Sequence, residues 1–193
     1  MRRTAGNSLP ELVILLGVTA AILQAVAPGW VRWRQRQRVE GAAGELALLV
    51  SALRVRSAVS GHAFGLRFRA APPSLEWEII EDGDGDGLRS EDIRRGVDTV
   101  IGTAFVLGDR YPGVHVGLPA EIRPPGGGTL PSDGVAMGRS DLLSVHPEGT
   151  TSSGSIYLCN RWRDCAAVRT YGATGRVALW LWRTDTSAWV RRQ

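Results

Sequence analysis

The hydrophobic pattern of this chain predicts one long helix with two different halves. Residues 12–27 are apolar except for Thr19 and Gln24, and with the flanking apolar positions the run covers roughly 20 residues, enough to cross a bilayer as a helix. Beyond it, apolar residues recur at three- and four-residue spacing: Val39, Ala42, Ala43, Leu46, Leu49, Val50 and Leu53. This spacing predicts that the helix continues, packs one face on a globular domain and ends at residues 57–61.

From Ala63 the apolar period changes to two, which is typical of half-buried strands. The first predicted strand holds Phe64, Leu66 and Phe68. Further short strands are predicted at residues 75–80, 99–107, 114–118, 155–158, 166–170, 176–183 and 187–190. The Pro-, Gly- and Ser-rich stretch 123–153 is predicted to be loop. The fold class is therefore α+β: a long N-terminal helix, half transmembrane and half amphipathic, packed on an antiparallel β-sheet or small β-sandwich.

Tryptophans mark the last strands. Trp180 and Trp182 share one face of the strand 176–183, and the opposite face carries Val177, Leu179 and Leu181. One face must be core. The other, together with Trp189, packs on a second sheet or on a partner subunit.

Glu11 is the unusual residue of the apolar run, because a carboxylate inside a membrane costs about 2.5–3.5 kcal/mol. Three interpretations compete. A cleaved secretory signal would use Ala25-Val26-Ala27 as its exit site, but Pro28 would then follow the cut. A plain signal anchor explains the length and leaves the carboxylate without a purpose. A specialised processing and assembly signal would explain both the length of the apolar run and the presence of Glu11.

The sequence Gly6-Asn7-Ser8-Leu9-Pro10-Glu11-Leu12 resembles the class III signal of type IV pilins and type II secretion pseudopilins. The resemblance implies that a prepilin peptidase cuts between Gly6 and Asn7 and that the new amine of Asn7 is methylated. It makes Glu11 the assembly glutamate and places Pro28 where many members have a helix-kinking proline. The family usually has Phe where this chain has Asn7.

The C-terminal region narrows the resemblance to one branch of the family. Residues 155–159, 166–169 and 172–177 resemble the end of the H-type pseudopilin (GspH) and FimT minor-pilin branch. The implied organisation is a leader 1–6, a transmembrane helix 7–31, an amphipathic continuation 32–58 and a periplasmic β-rich domain 59–193. The protein would be a single-pass inner-membrane protein that is extracted into a periplasm-spanning filament on assembly.

The resemblance implies a minor pseudopilin of a type II secretion pseudopilus. Its partners would be other pseudopilins or pilins, the prepilin peptidase, an inner-membrane assembly platform and membrane lipid. The alternative is a FimT-like minor type IV pilin that contacts DNA. The candidate nucleic-acid patch for that alternative is Arg176, Arg183, Arg191 and Arg192. DNA-binding members carry Gly-Arg-x-Arg at this turn, whereas residues 175–178 lack the second arginine.

Composition does not favour either alternative. The formal net charge of +4 comes entirely from arginine, and the surplus is concentrated in residues 32–38 and 161–192. This distribution does not by itself imply nucleic acid, because solvated helix surface, lipid phosphates and subunit grooves explain the first cluster equally well. His62, His115 and His146 stand far apart, and the chain shows no catalytic motif. We therefore expect a protein that is not an enzyme.

Cys159 and Cys165 are the only cysteines. An even pair at short spacing in an extracytoplasmic hairpin predicts a disulfide, with two reduced thiols as the alternative.

An acidic, glycine-rich stretch at residues 81–92 resembles the start of an EF-hand loop. Candidate calcium ligands are Asp82, Asp84, Asp86 and the carbonyl of Leu88. Ile93 occupies the closing glutamate position, so Asp92 or Glu91, one and two residues earlier, would have to substitute. No cofactor is required for the predicted function. A solvated acidic hairpin loop is the alternative to calcium binding.

Overall fold

The structure is a computed structural model that describes residues 9–128, 132–138 and 140–192, without the side chains of residues 25, 26 and 28. Helix α1 spans Leu9–Ser60, and the chain divides after Gln35 into two compact units. The remaining elements are β1 Phe64–Ala71, β2 Ser74–Glu81, α2 Ser90–Arg95, β3 Thr99–Val106, α3 Leu107–Arg110, β4 Val114–Val116, β5 Val135–Ala136, β6 Leu142–Val145, β7 Gly154–Asn160, β8 Cys165–Tyr171, a 3-10 turn Gly172–Thr174, β9 Arg176–Arg183 and β10 Ala188–Arg192.

The strands form two antiparallel sheets. Sheet A has the order β3-β2-β1-β6, and sheet B has the order β10-β9-β8-β7-β4, with β5 also paired to β7. The predicted α+β class with an antiparallel sheet is confirmed, and of the two architectures expected the structure has two sheets rather than one.

The second half of α1 supplies the centre of the core. The residues of its predicted stripe are buried, apart from the half-buried Leu49: Val39, Ala42, Ala43, Leu46, Val50 and Leu53. They share one hydrophobic cluster with Phe64 and Leu66 of sheet A and with Ile156 and Leu158 of sheet B. The helix therefore connects the two sheets through apolar contacts, as its three- and four-residue spacing requires.

The prediction of loop for residues 123–153 is wrong at two places. Strand β6 is buried at every position and pairs with β1, with Leu66 opposite Leu143. Strand β5 is a two-residue pairing to β7. These strands escape sequence analysis because β5 has only two residues, because β6 is buried at all four positions and so shows no alternation, and because turn residues surround both. Pairing with a neighbouring strand, not local propensity, makes them strands.

The part of α1 that lies in the first unit, up to Gln35, has the composition of a membrane anchor. Its most apolar window has a mean hydropathy of 2.1 and none of its residues are buried, and α1 is the one helix within the described residues that is long and apolar enough to cross a membrane. By length and composition this part of the helix can serve as a membrane anchor for the β domain.

Candidate functional site

Glu11 lies in the first turn of α1. A carboxylate there is stabilised by the helix dipole by about 0.3–1 kcal/mol. The predicted cleavage and methylation site, Gly6 and Asn7, lies outside the described residues. Pro28 is an interior residue of α1, and its side chain, on which the predicted kink depends, is also outside the described part.

The two cysteines lie directly opposite each other at the end of the β7–β8 hairpin. The structure joins Cys159 to Cys165 with an S–S distance of 2.10 Å, and both residues are buried. Beside them, the side-chain amide of Asn160 donates a hydrogen bond to Asp164 at 3.0 Å. The hairpin is therefore closed by the predicted disulfide and by a buried polar pair.

The acidic loop brings three of the predicted calcium ligands together. Asp82, Asp84 and Asp86 offer carboxylate oxygens that all lie within 4.8 Å of one another. Asp82 is buried, and its two oxygens accept hydrogen bonds from the backbone N–H groups of Gly85 at 2.9 Å and Gly87 at 3.0 Å. Desolvation, followed by the nearby Asp84 carboxylate, raises the pKa of Asp86 against the lowering effect of its ion pair with Arg89. This arrangement of oxygens suits a hard cation.

The other two predicted ligands have different surroundings. Leu88 is buried in a small apolar cluster with Ile80 and Ile93. Asp92 lies in the first turn of α2, where its carbonyl accepts the backbone N–H groups of Val97 and Asp98. The group of converging carboxylates contains the three earlier aspartates and not Asp92.

Asp98 is a residue that sequence reasoning missed. It is 2% exposed, and its carboxylate accepts hydrogen bonds from the backbone N–H groups of Gly83 at 3.3 Å and Arg89 at 3.1 Å. It therefore ties the two ends of the acidic loop together. Its position beyond α2 carries no spacing signal that sequence analysis can use.

The four arginines of the predicted nucleic-acid patch are not all brought together. Arg176 and Arg191 line one pocket of about 520 Å³. Arg183 instead pairs with Asp185 at 2.8 Å, which lowers the pKa of Asp185 to about 2. Arg192 pairs with Glu40 of α1 at 3.1 Å.

The tryptophan face of β9 lines a groove on the outer side of sheet B. Leu179 and Leu181 pack against the main core, so the tryptophan face is the one turned away from it. Trp182 lies opposite Trp189 of β10, with their rings at 64° and the ring centroids 5.5 Å apart. Both rings pack against the buried cluster formed by Ile122 and the disulfide, not on the second sheet. The groove has a volume of about 800 Å³.

No protein-family model and no curated protein matches the chain. Among solved structures, two chains match it. The first is the structure of the minor pseudopilin EpsH from the type 2 secretion system of Vibrio cholerae, with 13% identity over 74% of this chain and 95% of that one, at a TM-score of 0.46. The second is a crystal structure of the same protein, with 12% identity over 75% and 94% of the two chains, at a TM-score of 0.45. Both are structures of a minor pseudopilin.

Proposed function

We propose that this protein is a minor pseudopilin of a type II secretion pseudopilus, processed by a prepilin peptidase and assembled through its N-terminal helix. The observation that carries the proposal is a single helix, Leu9–Ser60, with two distinct halves. The first half is an exposed, membrane-length apolar segment headed by Glu11, and the second half is the core helix of a two-sheet β domain. The stretch 6–12, which resembles a class III signal, runs into the start of that helix in the sequence.

The physical properties of the two halves support a filament subunit. The apolar half anchors the chain in the inner membrane in a single pass before assembly, and packs with the corresponding helices of other subunits afterwards. The β domain would lie in the periplasm, an oxidising compartment in which the Cys159–Cys165 disulfide persists. The role is structural, and the partners are other pseudopilins, the peptidase, the assembly platform and lipid.

The DNA-contacting alternative has weaker support. Arg176 and Arg191 line the same pocket, and arginine side chains can contact phosphate groups. Arg183 and Arg192, however, already pair with Asp185 and Glu40. Half of the predicted patch is therefore engaged within the chain, and we retain the pseudopilin function as the proposal.

Processing provides the direct test. When the chain is co-expressed with a prepilin peptidase, the intact mass should decrease by residues 1–6 and increase by one methyl group on Asn7. Gly6→Leu should abolish the cut, because the bulky side chain replaces the small residue at the cleavage position, while Gly17→Leu, the same change within the apolar run, should not. Cleavage after Ala27, or an uncut chain in the presence of an active peptidase, would contradict the proposal.

We also propose that the acidic loop binds calcium through Asp82, Asp84 and Asp86. At a calcium concentration ten times Kd, binding stabilises the folded chain by about 1.4 kcal/mol, which corresponds to a rise in Tm of about 3–6 °C. Thermal unfolding of the full chain in detergent, with calcium and with a chelator, measures this shift.

Asp84→Asn should remove the calcium-dependent shift in Tm, because it removes one exposed carboxylate of the group. Asp109→Asn, the same change at an exposed position in α3, is the matched control and should keep the shift. Equal Tm values with calcium and chelator would show that the loop is only an acidic surface.

A further inference from the structure

The groove on the outer side of sheet B has an aromatic floor that three parts of the chain build together. Trp162 comes from the turn of the β7–β8 hairpin, Trp180 and Trp182 from β9, and Trp189 from β10. Each of these side chains is half-buried. The Trp182 and Trp189 rings meet edge to face at an angle of 64°. The Arg161 guanidinium lies 3.8 Å from the centroid of the Trp162 ring and covers one face of that ring. The ring faces that line the groove offer stacking surface to a ligand that has flat apolar faces.

One wall of the groove is held in place by hydrogen bonds before any ligand arrives. The indole N–H of Trp189 donates to the carbonyl of Arg123 at 2.7 Å. The Arg169 guanidinium donates to the carbonyl of Pro125 at 3.0 Å. Trp182 and Trp189 pack against the buried cluster formed by Ile122 and the disulfide. A preformed groove of this kind spends little binding free energy on ordering its own side chains.

The polar side chains at the groove are chemically mixed and largely compensated in charge. Glu121 pairs with Arg163 at 3.2 Å, and the two side chains are 63% and 61% exposed. Thr184 and Ser187 add hydroxyl groups. A carboxylate acceptor, a guanidinium donor and hydroxyls around aromatic rings suit a ligand whose edge carries many hydroxyl groups. They suit a polyanion less well, because the ion pair leaves Arg123 as the one charge of the described lining without an opposite charge beside it.

We infer that this groove binds a neutral, β-linked oligosaccharide. A pyranose ring with equatorial hydroxyls has apolar C–H faces, which stack on tryptophan, and a rim of hydroxyl donors and acceptors, which matches the Glu121–Arg163 pair. A volume of about 800 Å³ lies in the range of small-ligand sites and accommodates a short oligosaccharide. The inference does not depend on the pseudopilin function, since neither the apolar helix nor filament assembly enters it.

The experiment uses the full chain in a detergent without a sugar headgroup, because a maltoside would compete for the groove. Cellotetraose and the β-1,4-linked tetramer of N-acetylglucosamine are titrated while tryptophan fluorescence and the heat of binding are recorded. We expect saturable binding of at least one of the two. Trp162→Ala should weaken that binding by about tenfold or more, since truncation of an aromatic hot-spot contact typically has such an effect.

Two further variants separate ligand contact from folding. Glu121→Gln lies on the exposed rim and should weaken binding about threefold without changing Tm, since it removes one charged acceptor. Trp33→Ala removes an exposed tryptophan of α1 outside the groove and should leave affinity unchanged. Three results would overturn the inference: no saturable response to either sugar, unchanged affinity in both Trp162→Ala and Glu121→Gln, or tighter binding of a thymidine decamer or a proline decamer that displaces the sugar.

Discussion

Replacement of Glu11 by alanine is expected to leave the chain inserted in the membrane and to reduce its incorporation into filaments at least tenfold. The carboxylate costs about 2.5–3.5 kcal/mol in an apolar surrounding, so its removal does not impair insertion. In a filament, the cationic terminal amine of a neighbouring subunit can lie beside this carboxylate at low effective dielectric, where the attraction between opposite charges is strong. Alanine removes that attraction, and one tenfold step corresponds to about 1.4 kcal/mol.

Cross-linking of sheared filaments, followed by immunoblotting, measures incorporation, and alkaline extraction of membranes measures insertion. Glu148→Gln removes an exposed carboxylate from the β domain and serves as the matched control, with normal incorporation expected. Normal incorporation of Glu11→Ala would show that this carboxylate is not an assembly contact. Loss of the variant from the membrane fraction would show that the residue acts in insertion instead.

Leu143→Ala is expected to lower the free energy of unfolding by about 2.7–5 kcal/mol. Leu143 is 0% exposed, pairs with Leu66 across β6 and β1, and belongs to the main core. Truncation removes buried methyl groups and leaves a cavity that two sheets and α1 cannot close without shifting. For a chain of this size the corresponding decrease in Tm is about 5–20 °C.

Leu48→Ala is the matched control for this measurement, because it is the same chemical change at a side chain that is 72% exposed. Its effect should stay within about 0.5 kcal/mol. Thermal unfolding of both variants as full chains in the same detergent allows a direct comparison. Equal effects of the two substitutions would show that Leu143 of β6 does not contribute to the stability of the core.

Most elements of this fold were predictable because their own residues carry the period of the structure. The spacing of Val39, Leu46 and Leu53 predicts the buried face of α1, and the alternation of Phe64, Leu66 and Phe68 predicts β1. The same holds for the hairpin that brings Cys159 opposite Cys165. Strand β6 was not predictable, because four residues among turn formers become a strand only when β1 supplies the hydrogen-bonding partner.

The candidate sites also divide into those that local sequence predicts and those that only tertiary contacts form. Alternate carboxylates in a short loop are local, so spacing alone places Asp82, Asp84 and Asp86 together. Asp98, which holds both ends of that loop, comes from beyond α2 and enters only through tertiary structure. The prediction that four arginines form one patch was wrong for a related reason. The partners that engage Arg183 and Arg192 depend on turn geometry and on the packing of β10 near α1.

Local sequence is enough to specify the membrane-length helix headed by Glu11, the α+β class and the residues of the core stripe. These are properties of neighbours along the chain, and the hydrophobic effect acts on their period directly. Three features follow from tertiary contacts instead: which face of β9 is core, which arginines form ion pairs, and the meeting of Trp162, Trp180, Trp182 and Trp189 around one groove. Those outcomes depend on contacts between residues far apart in sequence. The spacing of such residues along the chain does not indicate that they come into contact.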